Sequence, residues 1–160
     1  MNAMVTALEK LIGIQQQLIT CADDKKAALI ERSVDGLNAI TKEEKKLVKQ
    51  LEQTEAERMA AMEGVSQEPA ATNFQSFLDG LPGGQEKQKL QLQLTTLQEL
   101  TAELQEKNRI NDRLLKDSMS FVQHMIDQIT KSQQQNFNYQ SPTGQQNSQT
   151  GNRGFFDTKA

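Results

Sequence analysis

The sequence predicts an all-α protein: an elongated up-and-down antiparallel helical bundle or coiled coil of three long helices, with a short capping helix and a disordered C-terminal tail. Apolar residues recur at alternating steps of three and four over three long segments, which places them on one face of a helix. Apolar residues make up 36% of the chain and aromatic residues 4%, and this composition suits the narrow core of a bundle. The predicted domains are a helical bundle over residues 1–132 and a polar tail over residues 133–160.

The first two helices are predicted over residues 4–31 and 34–62. Ser33 lies between them and offers a side-chain oxygen to free backbone amides, so we interpret it as an N-cap. Gly36 in a first turn costs about 1 kcal/mol relative to Ala, which leaves the start of the second helix open between Val34 and Gly36. Because so short a link joins them, the two helices should be antiparallel neighbours.

A short capping helix is predicted over residues 73–79, with Thr72 or Asn73 as its N-cap. Three large apolar residues share one face of it at i, i+3 and i+4: Phe74, Phe77 and Leu78. The alternative is a loop with isolated phenylalanines. We favour a cap on one end of the bundle, because three large apolar side chains on one face are costly to leave in water.

The last helix is predicted over residues 85–132, about 70 Å long at 1.5 Å per residue. Its seam consists of Leu90, Leu94, Leu97, Thr101, Leu104, Asn108, Asn111, Leu115, Ser118, Val122, Met125 and Ile129. The polar seam positions should fix the register against the partner helices at some cost in stability. From Leu114 onward two interpretations stay open: the apolar residues are core, or they are left uncovered for a binding partner.

Several functional classes are disfavoured by composition. The formal charge is -3, from 18 basic and 21 acidic residues, so there is no basic surface for nucleic acid. The longest apolar run is too short for a membrane span and the first 20 residues do not resemble a signal peptide, so we expect a cytoplasmic protein. Cys21 is the single cysteine, which excludes an internal disulfide and favours a small core or flank residue.

Catalytic chemistry is also poorly supported. His124 is the only histidine, so neither a His-based triad nor a His/Cys metal cluster can be assembled. The glycines between Gly80 and Gly84 match neither a phosphate-binding nor a dinucleotide-binding motif. We therefore predict no enzyme, no metal and no cofactor.

The tail is rich in Gln, Asn, Ser, Thr and Gly, yet it holds four of the seven aromatic residues of the chain. These are Phe137, Tyr139, Phe155 and Phe156. Aromatics spaced along a polar segment are typical of short recognition elements, and the alternative is an ordinary frayed terminus.

The stretch Asn108-Arg109-Ile110-Asn111-Asp112-Arg113-Leu114-Leu115, followed by Ser118-Met119-Ser120-Phe121-Val122, resembles the Asn-x-x-Asn-x-x-Leu-Leu stretch in the last long helix of the FlgN family. Members of that family are bacterial flagellar export chaperones for the hook-filament junction proteins. The hairpin around Ser33, the Leu81-Pro82 turn and the polar tail opening at Tyr139 agree with this resemblance. The phrase from Tyr139 to Gly144 and the closing residues 155–160 resemble firmicute members in particular.

The resemblance implies a bundle that binds the C-terminal segments of hook-associated proteins and delivers them to the export gate. It also implies that the tail tyrosine, here Tyr139, contacts the gate. The expected partner-binding residues are Asn111, Leu114, Leu115, Phe121, Val122, Met125, Ile126, Ile129, Phe137 and Tyr139. The alternative is a coiled-coil adaptor or tether that homodimerises, and a weak homodimer is compatible with either hypothesis. A membrane-surface protein is disfavoured because it would need a basic face.

Overall fold

The computed structural model describes residues 1–65 and 73–139, with side chains as far as Asn136. Its four helices are α1 (Asn2–Glu31), α2 (Val34–Glu63), α3 (Phe74–Gly80) and α4 (Gln85–Tyr139), and the described residues contain no strand. The all-α bundle prediction is confirmed. The chain divides into two compact units, Met1–Ser118 and the part from Met119 onward.

Helix α4 ends at Tyr139 rather than at Ser132, so its last residues fall within the segment predicted as tail. Gln is a good helix former, and the first proline after Ser132 is Pro142, so local propensity permits the extension. The tail from residue 140 and the cap candidate Thr72 lie outside the described residues. None of the helices in the described ranges has the length and hydropathy of a membrane-spanning segment.

Hydrogen bonds fix the turn between α1 and α2 both at the end of α1 and at the start of α2. Arg32 adopts the left-handed conformation, with φ 56° and ψ 39°, and the Ser33 amide donates to the Ala28 carbonyl at 2.9 Å. The Ser33 hydroxyl accepts from the Gly36 amide at 3.1 Å, which confirms Ser33 as the N-cap. A Cβ atom on Gly36 would lie 2.8 Å from the Ser33 Oγ. Helix α2 therefore begins at Val34, because the glycine leaves room for the capping hydroxyl.

Ion pairs along α1 give the directions of the long helices in the first unit. Lys10–Glu57 at 2.8 Å and Lys25–Glu44 at 2.7 Å join α1 to α2. Lys89–Glu9 at 3.0 Å and Lys107–Asp23 at 2.6 Å join α1 to α4. Residue numbers fall along α2 as they rise along α1, whereas they rise together along α4, so the order is up, down and up.

The capping helix closes the end of the bundle where α1 and α4 begin. The core there is formed by Met4, Leu8, Leu11, Phe77, Leu78 and Leu90. Asn73 caps α3, since its Oδ1 accepts from the Gln75 amide at 2.8 Å. The Phe74 and Phe77 rings stack with centroids 5.8 Å apart, and the Arg58 guanidinium lies 5.2 Å from the Phe74 centroid. The capping helix is thus confirmed as part of the core.

A second core cluster fills the middle of the first unit. Ile14, Leu18, Cys21 and Leu47 form it, with Ile40, Leu51 and Leu104 packed against them. Cys21 is only 8% exposed, which confirms it as a small core residue. Burial raises the pKa of its thiol, and the nearby Glu44 carboxylate raises that pKa further. The thiol is therefore neutral at physiological pH.

Candidate partner-binding face on helix α4

Asn111 is the seam residue of α4 that ties this helix to α1. It is 4% exposed, and its Nδ2 donates to the Ala22 carbonyl at 2.8 Å, while its Oδ1 has no partner. Thr101 and Ser118 instead donate to carbonyls of their own helix, at 2.8 Å and 2.9 Å. Asn111 therefore acts as the register-fixing residue of the α1–α4 seam, and a role for it in partner binding stays a prediction.

The remaining predicted residues within the first unit occupy different environments. Leu114 is half-buried and Leu115 is exposed. On the outer side of the same stretch, Arg109 pairs with Glu106 at 2.7 Å and the resulting hydrogen bond lowers the pKa of the Glu106 carboxyl. Lys116 pairs with Asp112 at 2.9 Å. The charged residues of the Asn108–Leu115 stretch therefore lie on the solvent-exposed surface of the helix.

In the second unit, every side chain described from Met119 to Asn136 is exposed. Six of these residues are large and apolar, and we call them the C-terminal face of α4: Met119, Phe121, Val122, Met125, Ile126 and Ile129. Their exposed fractions range from 47% to 64%. At about 100° per residue they lie within an arc of about 160° on the helix, so they form one continuous strip.

Charge is nearly absent from this part of α4. Between residues 85 and 118 there are twelve Asp, Glu, Lys and Arg residues, whereas between 119 and 136 there are two, Asp127 and Lys131. Both lie on the side of the helix opposite the C-terminal face. The Gln123 amide donates to Asp127 Oδ1 at 3.1 Å, which holds that carboxylate on its own helix. Depletion of charge beside uncovered apolar side chains is typical of the centre of a protein–protein interface.

The C-terminal face has the size and chemistry to accept an amphipathic helix. Six side chains that are about half exposed present on the order of 500 Å² of apolar surface, comparable to the largest patch on a typical monomer. Met119 and Met125 are flexible and polarizable, so the strip can adapt to partners of different shape. Gln, Ser and Thr residues border it and can hydrogen-bond to a partner without imposing a charge.

Five of the ten sequence-predicted residues form this strip: Phe121, Val122, Met125, Ile126 and Ile129. Met119 completes it and is not among the ten predicted residues, although its spacing of seven from Ile126 places it beside that residue. Phe137 and Tyr139 continue α4 as helical residues, but their side chains lie outside the described part, so their binding roles stay predictions. Within residues 1–65 and 73–136, no three His, Cys, Asp or Glu side chains are grouped as a metal site would require.

The fold and this strip define the class: an all-α bundle protein whose long last helix carries an exposed apolar face. The chain belongs to the FlgN family, because the family model described as FlgN protein matches residues 1–148. The family consists of flagellar export chaperones that bind hook-associated proteins, and the general role of this chain is therefore that of a flagellar export chaperone. The described geometry suits this role, since a chaperone needs exposed apolar surface to bind a client.

A curated relative agrees in length as well as in sequence. The chain is 26% identical to the uncharacterized protein YvyG of Bacillus subtilis (strain 168) over 162 residues, covering 99% of this chain and 98% of the relative. No solved structure matches the chain.

Proposed function

We propose that this chaperone binds the C-terminal segments of hook-associated proteins in the cytoplasm, prevents their premature assembly and delivers them to the export gate. The observation that supports the proposal is the exposed apolar C-terminal face of α4 in a chain of this family. A secreted subunit whose polymerising terminal helices are exposed would aggregate before export. A strip that takes up the apolar side of such a helix would prevent this.

The composition of the strip favours one kind of client segment. The face is apolar and its border is neutral, so most of the binding free energy comes from removing apolar surface from water. A client segment should therefore be an amphipathic helix with aliphatic or aromatic residues at i, i+3, i+4 and i+7. Because charged pairs contribute little, the affinity should change little with salt concentration.

The size of the strip is compatible with release, which export requires. Stable interfaces bury about 800 Å² per partner, and the strip offers on the order of 500 Å². Ordering a client segment costs a further few kcal/mol of the interaction energy. The small contact area and the cost of ordering the client both keep the affinity of the complex moderate, so that the client can be transferred.

The proposal assigns different roles to different parts of the chain. The C-terminal face of α4 holds the client, and Phe137 and Tyr139 lie at the end of the same helix. We assign Tyr139 to contact with the export gate, in line with the tail tyrosine of the family. Leu115 is exposed within the first unit and is proposed as a further client contact, with its half-buried neighbour Leu114 positioning it.

Co-purification tests the binding role. Ile129→Asp places a carboxylate in the strip and should abolish capture of hook-associated proteins, whereas Ser120→Asp, on the opposite side of the helix, should leave capture intact. Circular dichroism checks that both variants stay helical. Capture that survives Ile129→Asp would count against the proposal.

Secretion tests the division of roles. Tyr139→Ala should preserve capture of the client and reduce the amount of hook-associated protein secreted. Equal loss of capture and secretion would refute separate sites for client and gate.

A homodimeric tether is the second candidate, favoured by one feature of the same strip. Val122, Met125 and Ile129 follow steps of three and four, which is the spacing of a coiled-coil seam. Multi-angle light scattering distinguishes the two functions. The chaperone proposal expects a monomer, or a dimer only at high concentration, and a stable dimer that captures no client would support the tether.

A further inference from the structure

We propose that the outer side of α2 is a second binding surface, which takes up a narrow acidic segment of a partner protein. The surface consists of four residues that we call the lysine stripe: Lys42, Lys45, Lys46 and Lys49. Three features support the proposal: the position of these lysines on the helix, their lack of ion-pair partners, and the carboxylates that border them. The proposal does not depend on the client-binding role of α4.

The lysine stripe lies on one side of α2. Its spacing of three, one and three residues places the four side chains within an arc of about 100°. All four are exposed, and the core residues Leu47 and Leu51 lie on the opposite side of the helix. Over residues 36–53 this arc holds no Asp or Glu, and only Asn38 and Gln53 share it with the lysines. Positive charge is therefore concentrated on about 10 Å of helix in a chain whose formal charge is -3.

The stripe is almost without partners in the part of the chain that the structure describes. Lys42, Lys45 and Lys49 form no ion pair there, and Lys46 has only an exposed contact with Glu43 at 3.6 Å. The ion pairs that join α1 to α2 and to α4 use other residues. Like charges one turn apart repel each other, so a carboxylate that binds here is attracted by the lysines and also relieves their repulsion.

Carboxylates around the stripe limit the width of what can bind to it. Glu43 borders it on one side and Glu52 on the other, and Asp35 lies about 10 Å before its first lysine. An anionic membrane or a nucleic-acid duplex is broad and would meet these carboxylates together with the lysines. The stripe also has no apolar side chain that could insert into a membrane. A single acidic helix or extended segment is narrow enough to contact the lysines alone.

The spacing of the lysines also indicates the pattern of the acidic segment. A helical partner with Asp or Glu at i, i+3, i+4 and i+7 repeats the spacing of the stripe, so each carboxylate can approach one lysine. An exposed ion pair contributes about a factor of two to five to the affinity. The contact should therefore be weak and sensitive to salt, unlike binding of an apolar client to the C-terminal face of α4.

Fluorescence anisotropy of a labelled helical peptide tests the inference with the full chain. The probe is an alanine-based peptide with glutamates at i, i+3, i+4 and i+7, and the same peptide with glutamines at those positions is its control. At low salt, about 50 mM, the protein should bind the glutamate peptide and not the glutamine peptide.

Two double variants locate the binding on the protein. Lys45→Gln/Lys49→Gln should weaken binding of the glutamate peptide by about four- to twenty-five-fold, because two ion pairs are lost. Lys26→Gln/Lys131→Gln removes the same charge from two exposed lysines outside the stripe, which have no ion pair with the described residues, and should change binding less than about twofold. All four positions are exposed, so circular dichroism should show unchanged helicity in both variants.

Several outcomes would overturn the inference. The glutamate peptide could fail to bind, or the two double variants could lose equal affinity, which would mean that only net charge matters. Binding that persists unchanged at about 500 mM salt would contradict an electrostatic contact. Tighter, stripe-dependent binding to vesicles with about 30% phosphatidylserine would identify a membrane surface instead. The assay contains no client, so its failure leaves the proposed function standing, and loss of client capture would leave this result standing.

Discussion

The substitution Met125→Asp probes the C-terminal face of α4 at its centre. Met125 is 48% exposed in the free protein, so a client can bury about 100 Å² more of it, worth about 2.5 kcal/mol at 25 cal/mol per Å². Desolvating the new carboxylate inside the interface adds at least about 1 kcal/mol. Binding should therefore weaken by about 3.5 kcal/mol, or several hundredfold. Isothermal titration calorimetry with a helical C-terminal peptide of a hook-associated protein measures this change.

Ser120→Asp is the matched control for this substitution. Ser120 is exposed and lies on the side of the helix opposite the C-terminal face, so the same new charge should change client affinity less than about threefold. Neither variant should lower the free energy of unfolding by more than about 0.5 kcal/mol, because both positions are exposed. Equal loss of affinity in the two variants would refute binding through this face, and so would unchanged affinity in Met125→Asp.

The remaining predictions concern the first unit. Phe77→Ala should cost about 3 to 4 kcal/mol in urea unfolding, because the ring is buried against the ends of α1 and α4. An unchanged midpoint would mean that α3 is not part of the core. Asn111→Leu should be neutral or stabilising, because it removes an unpaired buried oxygen, whereas Asn111→Asp should cost about 3 kcal/mol by placing an unpaired buried carboxylate near the Ala22 carbonyl. Equal unfolding free energies for these two variants would contradict that account. The Cys21 thiol should resist alkylation until the protein unfolds. Since its folded pKa is raised, stability should be complete below about pH 8.5 and fall as pH rises above that value, and Cys21→Ala should remove this dependence.

The helices of the first unit were predictable because local signals and core packing agree there. Residue type and position predict caps at Ser33 and at Thr72 or Asn73, and Ser33 and Asn73 both accept amide hydrogen bonds. Gly36 was the exception, since propensity alone argued against a helix at that position. Helix α2 nevertheless includes Gly36, because the capping hydroxyl of Ser33 occupies the space that a Cβ atom at position 36 would need.

The end of α4 and the role of Asn111 could not be predicted from composition and spacing. The polar sequence beyond Ser132 predicts a helix end there, but polarity does not oppose helix formation when Gln is the main residue. Asn111 lies in the stretch that resembles the family motif. Residue spacing along α4 cannot show that the Ala22 carbonyl of α1 accepts a hydrogen bond from the Asn111 side chain. The shared side of most residues in the C-terminal face was predictable from their spacing, but their exposure was not, because the same spacing fits a core as well as a binding surface.

Hydrogen–deuterium exchange tests the central claim most directly. With the C-terminal segment of a hook-associated protein added to the full chain, the amides of residues 119–136 should exchange more slowly, because a docked client stabilises that part of α4. The amides of α1 and α2 should exchange as in the free protein. Protection confined to α1 and α2, or unchanged exchange over 119–136 in a client-saturated sample, would contradict the assignment of the client to this face.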